Sequence, residues 1–184
     1  DSVDVNGDGV ISYAMMKGQE GNVEAEYRTQ YGVEDANAIL KEAGKAELKY
    51  FEAANKDCYQ VDQDGAWSAK AAKEYMETNF VTYNESSDNM IELVICNNDG
   101  MAEGVVAALQ DKGYNKEGAH VVPVFGVDAT ENAVALIGEG SMIGTVKQDA
   151  EGMAAAIAQT ATAIAAGTTP VDSLAGLKDE RFSV

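Results

Sequence analysis

Ile91-Glu92-Leu93-Val94-Ile95-Cys96-Asn97-Asn98-Asp99, running directly into the helical pattern of residues 101–112, decides the fold. A short, mostly apolar run that ends in polar residues and turns at once into a helix is how a strand of a parallel sheet reads. The same unit recurs in both directions. Upstream, a strand over 10–17 precedes a helix over 24–43, whose apolar set is Ala25, Tyr31, Val33, Ala36, Ile39 and Leu40. A strand over 46–53 then leads through a polar, glycine-containing loop to a helix over 67–79. Downstream, strands over 120–127 and 142–147 precede a helix over 130–138 and an alanine-rich helix over 150–166. Five such alternations predict an α/β fold with a doubly wound, mostly parallel sheet, because right-handed crossovers place helices on both faces. No internal repeat or low-complexity linker interrupts the order.

The 184 residues are 46% hydrophobic with 18 glycines and two prolines, enough to bury a core. Thirty-one acidic side chains against thirteen basic ones give a net charge of −18. Such a surface repels nucleic-acid phosphates and anionic lipid, so neither is expected as a partner. The same excess makes carboxylate clusters the first places to look for a cation. The chain opens at Asp1 without a signal-type segment and holds no apolar run near bilayer length, and so reads as a mature or trimmed chain. Cys58 and Cys96 are too few for a disulfide framework, and Cys96 reads as a small buried hydrophobe within its strand.

In open sheets of this kind ligands bind beyond the carboxyl ends of the strands. That rule gathers Asn22, Glu24 and Arg28 after the first strand, Trp67 after the second, and Asn97, Asn98 and Asp99 after the third; Asp128 follows the fourth, Gln148 and Asp149 the fifth. Carboxylate, amide and guanidinium ends can each take adjacent hydroxyls, while an indole covers the C–H face of a sugar ring, so the set suits a polyol. The same residue types also cap helices and form turns, and both readings stand at this level.

A second motif opens the chain. Asp4-Val5-Asn6-Gly7-Asp8-Gly9-Val10-Ile11-Ser12 has oxygen donors at loop positions one, three, five and nine, glycine at six and an apolar residue at eight, which is most of an EF-hand-type calcium loop. Position twelve, where a bidentate acid should close the shell, is Met15, and no entering helix fits before Asp4. Either the loop is a plain turn or a distant carboxylate completes it. Glu92 is the candidate, because an acid between Ile91 and Leu93 is costly to bury without a partner. A calcium-dependent dockerin-like module fits poorly, lacking a second loop, an acid at position twelve and a following helix. Catalysis is not expected either: the single histidine, His120, is placed at a strand start, and no serine or cysteine has a recognisable base beside it.

The loop from Asp4 to Ser12, Glu92, the run Val94-Ile95-Cys96-Asn97-Asn98-Asp99 and the run Pro123-Val124-Phe125-Gly126-Val127-Asp128-Ala129 together resemble the galactose/glucose-binding proteins of bacterial sugar ABC transporters. The resemblance implies one lobe of a type I periplasmic binding protein, with calcium held by Asp4, Asn6, Asp8, the Val10 carbonyl, Ser12 and a bidentate Glu92. Ser12 replaces the family's glutamine, a shorter arm. It also implies a monosaccharide site of Arg28, Trp67, Asn98 and Asp128. At three further matched positions Asn22 stands for histidine, Glu24 for aspartate and Gln148 for asparagine, changes that keep polarity but shift reach, and so alter which hexose is preferred.

By the same resemblance residues 1–149 form the sugar-binding lobe. Residues 150–184 form a helix and the start of a return crossing, leading from or belonging to an N-terminal lobe that is missing here. Without that lobe the stripe Met153, Ala156, Ile157, Thr160, Ala161 and Ile164 needs cover by fold-back, disorder or self-association, and an oligomer contact is expected there. The implied function is reversible sugar binding for uptake through an ABC transporter permease, in the periplasm or lipid-anchored to the outer face of the cell membrane. The ligand-binding domain of a sugar-sensing transcriptional regulator shares the fold, but the calcium loop is not expected in it.

Overall fold

Strand β1 (Ser12–Lys17) forms the axis of the sheet, with Tyr13 to Lys17 all buried, as a strand covered on both faces must be. The computed structural model describes residues 3–87 and 89–169. The remaining elements are α1 (Val23–Glu42), β2 (Lys49–Tyr50), β3 (Gln60–Val61), α2 (Ala69–Thr82), β4 (Leu93–Cys96), α3 (Asp99–Asp111), β5 (Val124–Val127), α4 (Glu131–Gly138), β6 (Gly144–Val146) and α5 (Ala150–Ala165). The strand order is β2-β1-β4-β5-β6, with β3 also paired to β1. Every pairing among the described strands is parallel.

The expected alternation is present, with two differences. The strand expected over 46–53 contracts to Lys49–Tyr50, and β3 arises inside the segment read as a loop. The two share one edge of β1: β2 pairs with its start, Ser12 and Tyr13, and β3 with its end, Met16 and Lys17. Two-residue strands are too short to leave a period in the sequence. The other strands begin later than expected, and His120 lies ahead of β5, its Nδ1 3.2 Å from Glu85 Oε1, rather than at a strand start.

The core is rich in methionine: Met15, Met16, Met76, Met90, Met101 and Met142 are all fully enclosed, filling irregular space between sheet and helices as flexible thioethers do. Met15, at loop position twelve, is therefore a core residue and no ligand. Helices α2 and α3 pack so closely that a methyl group on Gly104 would overlap the Ala69 backbone. Buried Asp99 accepts from the Thr130 N–H at 2.8 Å and the Thr145 hydroxyl at 2.6 Å, joining the start of α3 to α4 and β6. The chain forms two units, Asp1–Lys147 and Gln148–Val184. In the second, Asp149 caps α5 through the Gly152 N–H at 2.9 Å, and Met153, Ile157 and Ile164 of the expected stripe are exposed. The return crossing, residues 177–184, lies outside the described residues.

Candidate functional site

The carboxyl ends of β1, β3, β4 and β5 carry the polar residues singled out above. After β1, Asn22 is the N-cap of α1: its Oδ1 accepts from the Glu24 and Ala25 N–H groups at 3.0 and 3.2 Å. After β4, Asn98 caps α3 in the same way, accepting from the Met101 N–H at 2.9 Å. The capping alternative is thus realised at both. Each cap uses the amide oxygen, so the amide nitrogen remains a donor on the same edge, at Asn22 directed to Gln19 Oε1 at 3.4 Å.

Arg28, one turn into α1, is aimed back at this edge. Its Nη1 donates to the Asn97 carbonyl at 2.9 Å and its Nη2 to Glu24 Oε2 at 3.2 Å, and its guanidinium carbon stands 5.6 Å from the centre of the Trp67 indole. Trp67 precedes the Ser68 N-cap of α2 and so lies outside the helix, where the sequence pattern had begun it. Its φ is +55°, a conformation unfavourable for a bulky side chain. A methyl group on Gly18 would overlap the indole ring carbons, so the ring lies flat against the backbone just beyond β1. Its carbonyl reaches α3, 3.4 Å from where a Cβ on Gly100 would sit.

Asp128 follows β5 and also has a positive φ, +124°, with Ala129 after it at +54°. Its N–H donates to the Val146 carbonyl at 2.8 Å, which fixes the turn out of the strand. Trp67, Asp128 and Ala129 thus all hold positive φ on this edge, a backbone state that non-glycine residues keep only where their surroundings enforce it. Arg28 touches both Glu24 and Trp67, while Asn22, Asn98 and Asp128 are placed on the same edge by the order of the sheet. Gln148 falls in the second unit and is exposed.

Three buried residues shape this edge; Asn97 is among the strand-end candidates, whereas Lys17 and Asp62 carry no sequence signal as site residues. Lys17 ends β1 with its side chain 1% exposed, its ammonium 3.1 Å from Glu20, 2.8 Å from Glu26 and 4.2 Å from the Tyr59 ring centre. Burial alone would lower its pKa, but the hydrogen bonds to Glu26 and Glu20 outweigh this and raise it. Asn97 is fully buried and accepts from the Gly18 N–H at 3.1 Å. Asp62, after β3, bonds to Ser68. A lysine closing an apolar strand and an acid in a polar loop look like surface residues until the fold encloses them.

At the amino end of β1 lies the acidic loop. Glu92 is 1% exposed and comes up against it: Oε1 accepts from the Val5 and Asn6 N–H groups at 2.6 and 3.4 Å, and Oε2 from the Ser12 N–H at 2.9 Å. Asp4 accepts from Gly7 at 2.8 Å and Gly9 at 3.0 Å, and Asp8 from Val10 at 2.8 Å; the Ser12 hydroxyl donates to the Met90 carbonyl. Among the described residues no three acidic, histidine or cysteine side chains converge as a metal cluster. The groups that meet Glu92 are backbone N–H donors, while the side-chain oxygens of Asp4, Asn6 and Asp8 lie in the loop beside it, the ligand type that suits a hard divalent cation. Glu92 Oε2, which accepts from the Ser12 N–H, keeps a second lone pair.

The comparisons with known proteins agree with this architecture. A periplasmic binding protein domain matches residues 4–169. The D-galactose/methyl-galactoside binding periplasmic protein MglB of Haemophilus influenzae is 33% identical over 171 residues, covering 93% of this chain and 45% of its own length. An ABC transporter solute binding protein from Bacillus halodurans with bound myo-inositol is 25% identical, with a TM-score of 0.59 over 91% of this chain and 53% of its own. One from Clostridium phytofermentans with bound β-D-glucose has a TM-score of 0.61 at 20% identity, over 84% of this chain and 44% of its own, and shares the fold. The chain thus spans about half the length of its relatives. Parallel sheet, order of motifs and domain match all lead to one assignment: this chain belongs to the periplasmic binding protein family.

Proposed function

We propose that the carboxyl edge of the sheet is one wall of a monosaccharide site, and that the chain serves as the reversible binding component of an ABC sugar-uptake system outside the cytoplasm. The observation that carries this reading is Trp67, held at positive φ with its ring laid on Gly18 and the Arg28 guanidinium beside it. An indole fixed in that pose offers a sugar ring an apolar surface bordered by donors and acceptors that pair with its hydroxyls. The ligands of these relatives, galactosides, inositol and glucose, are all polyhydroxylated rings. In this role Arg28 donates to ring oxygens, Asp128 and Glu24 accept from hydroxyls, and Asn22 and Asn98 donate through their amide nitrogens. Binding leaves the sugar chemically unchanged.

A calcium ion held by Asp4, Asn6, Asp8, the Val10 carbonyl and Glu92, with Ser12 at the margin, belongs to the same proposal. Glu92 supports it: a buried carboxylate partnered by backbone N–H groups, beside a turn of oxygen donors. The ion would supply positive charge there. Its place is structural, since β1 separates the loop from the sugar edge by about 20 Å, six residues at roughly 3.3 Å each.

A titration of the 15N-labelled chain with D-galactose, D-glucose, D-allose and myo-inositol tests the sugar reading, because chemical shifts detect weak binding. The expected result is saturable movement of the Trp67 indole signal and of the amides of Asn22, Arg28, Asn98 and Asp128. Movement confined to the amino ends of the strands, or none with any of the four, contradicts it.

A further inference from the structure

We propose that Asp62 is the positioning residue that holds the Trp67 indole in its pose; its consequence for binding rests on the sugar-site reading above, its geometry does not. Asp62 follows β3 and is 4% exposed. Its Oδ1 accepts from the Asp64 N–H at 3.0 Å, and its Oδ2 from both the Ser68 N–H at 2.9 Å and the Ser68 hydroxyl at 2.8 Å. Its carbonyl accepts from the Gly65 N–H at 3.0 Å, and its own N–H donates to the Lys17 carbonyl at 2.9 Å. One residue therefore ties the whole turn over 64–68 to the end of β1, and Trp67 is the last residue of that turn before the cap.

The turn is left-handed at two points, Gly65 at +63° and Trp67 at +55°. Glycine adopts this freely; tryptophan does so only where its surroundings over-determine it. Two things do so here. Gly18 supplies a flat floor for the ring, and Asp62 fixes the next residue along the chain by both its N–H and its hydroxyl. The second bond also orients the cap: with its proton given to Asp62, Ser68 Oγ keeps a lone pair for the Ala71 N–H at 3.2 Å. Burial would raise the Asp62 carboxyl, but the Ser68 N–H and hydroxyl and the N–H groups of Asp64 and Ala66 outweigh it and hold the group below its ordinary value. An asparagine cannot substitute, because one of its two ends is a donor and would face the N–H of either Asp64 or Ser68.

Trp67 is the only tryptophan in the chain, so its fluorescence reports on this pose alone. Without sugar, Asp62→Asn should shift the emission to longer wavelength and raise the acrylamide quenching constant at least twofold. Ser68→Ala should move both the same way by less, and Asp64→Asn should leave both at wild type. Wild-type emission and quenching in an Asp62→Asn protein with native circular dichroism overturns the proposal. If that variant does not fold, Ser68→Ala decides, and wild-type quenching there overturns it equally. Calorimetry with D-galactose separates the two claims: Asp62→Asn should weaken binding at least fivefold. A displaced indole with wild-type affinity in both Asp62→Asn and Trp67→Ala upholds the positioning role and instead defeats the sugar-site reading.

Discussion

At the scale of single residues, the pose of Trp67 on the candidate sugar edge is set by neighbours behind it, Asp62 above all. Asp62 has a pH consequence. Its folded carboxyl lies below the ordinary value of 3.8, so the stability it contributes is present above that value and is lost as the pH falls below it. The difference in melting temperature between wild type and Asp62→Asn should be clear at pH 6 and narrow below pH 4; a difference that stays constant through that range removes the ionised carboxylate from the account. Glu26 works in the same direction, held low chiefly by its hydrogen bond to Lys17. The residue types of the site were legible in the sequence, because Trp67, Arg28 and Asp128 follow strand ends. Their backbone states were not. Nothing in the letters places a tryptophan at positive φ, and nothing marks Asp62 or Lys17 as buried, because charged residues in loops and at strand ends are ordinarily exposed.

At the scale of elements, β1 links the two candidate sites. Its amino end receives the acidic loop and Glu92, and its carboxyl end runs into Gly18 beneath the indole. Chelator should therefore lower the melting temperature of the wild type by several degrees, while Glu92→Ala melts lower from the start and is nearly unmoved by chelator. Equal chelator shifts in both proteins would take Glu92 out of the shell. The long helices and the apolar strands were readable from their periods. The short β2 and β3 were not, since each is held by pairing with β1 and by no pattern of its own. The candidate loop was suggested by its spacing and Glu92 by its place between two apolar residues; the pairing of β1 with β4 brings the two together, joining residues 80 positions apart at one end of the sheet.

At the scale of the whole molecule, the net charge of −18 suits the proposed combination of uncharged polyol ligands and a cation at the acidic loop. An open sheet edge gives a sugar one wall, and a site of this kind gains most of its affinity when a second surface closes over the ligand. The chain's span of about half its relatives' length makes the affinity of this edge by itself the quantity of interest. In the proposed site Trp67 and Asp128 form that edge's contact with sugar. Its most direct test is calorimetric titration of wild type, Trp67→Ala and Asp128→Ala with the hexose that wild type binds most tightly among D-galactose, D-glucose and D-allose. Each variant should lose at least tenfold in affinity, with a melting temperature close to wild type. Wild-type affinity retained in both would contradict it.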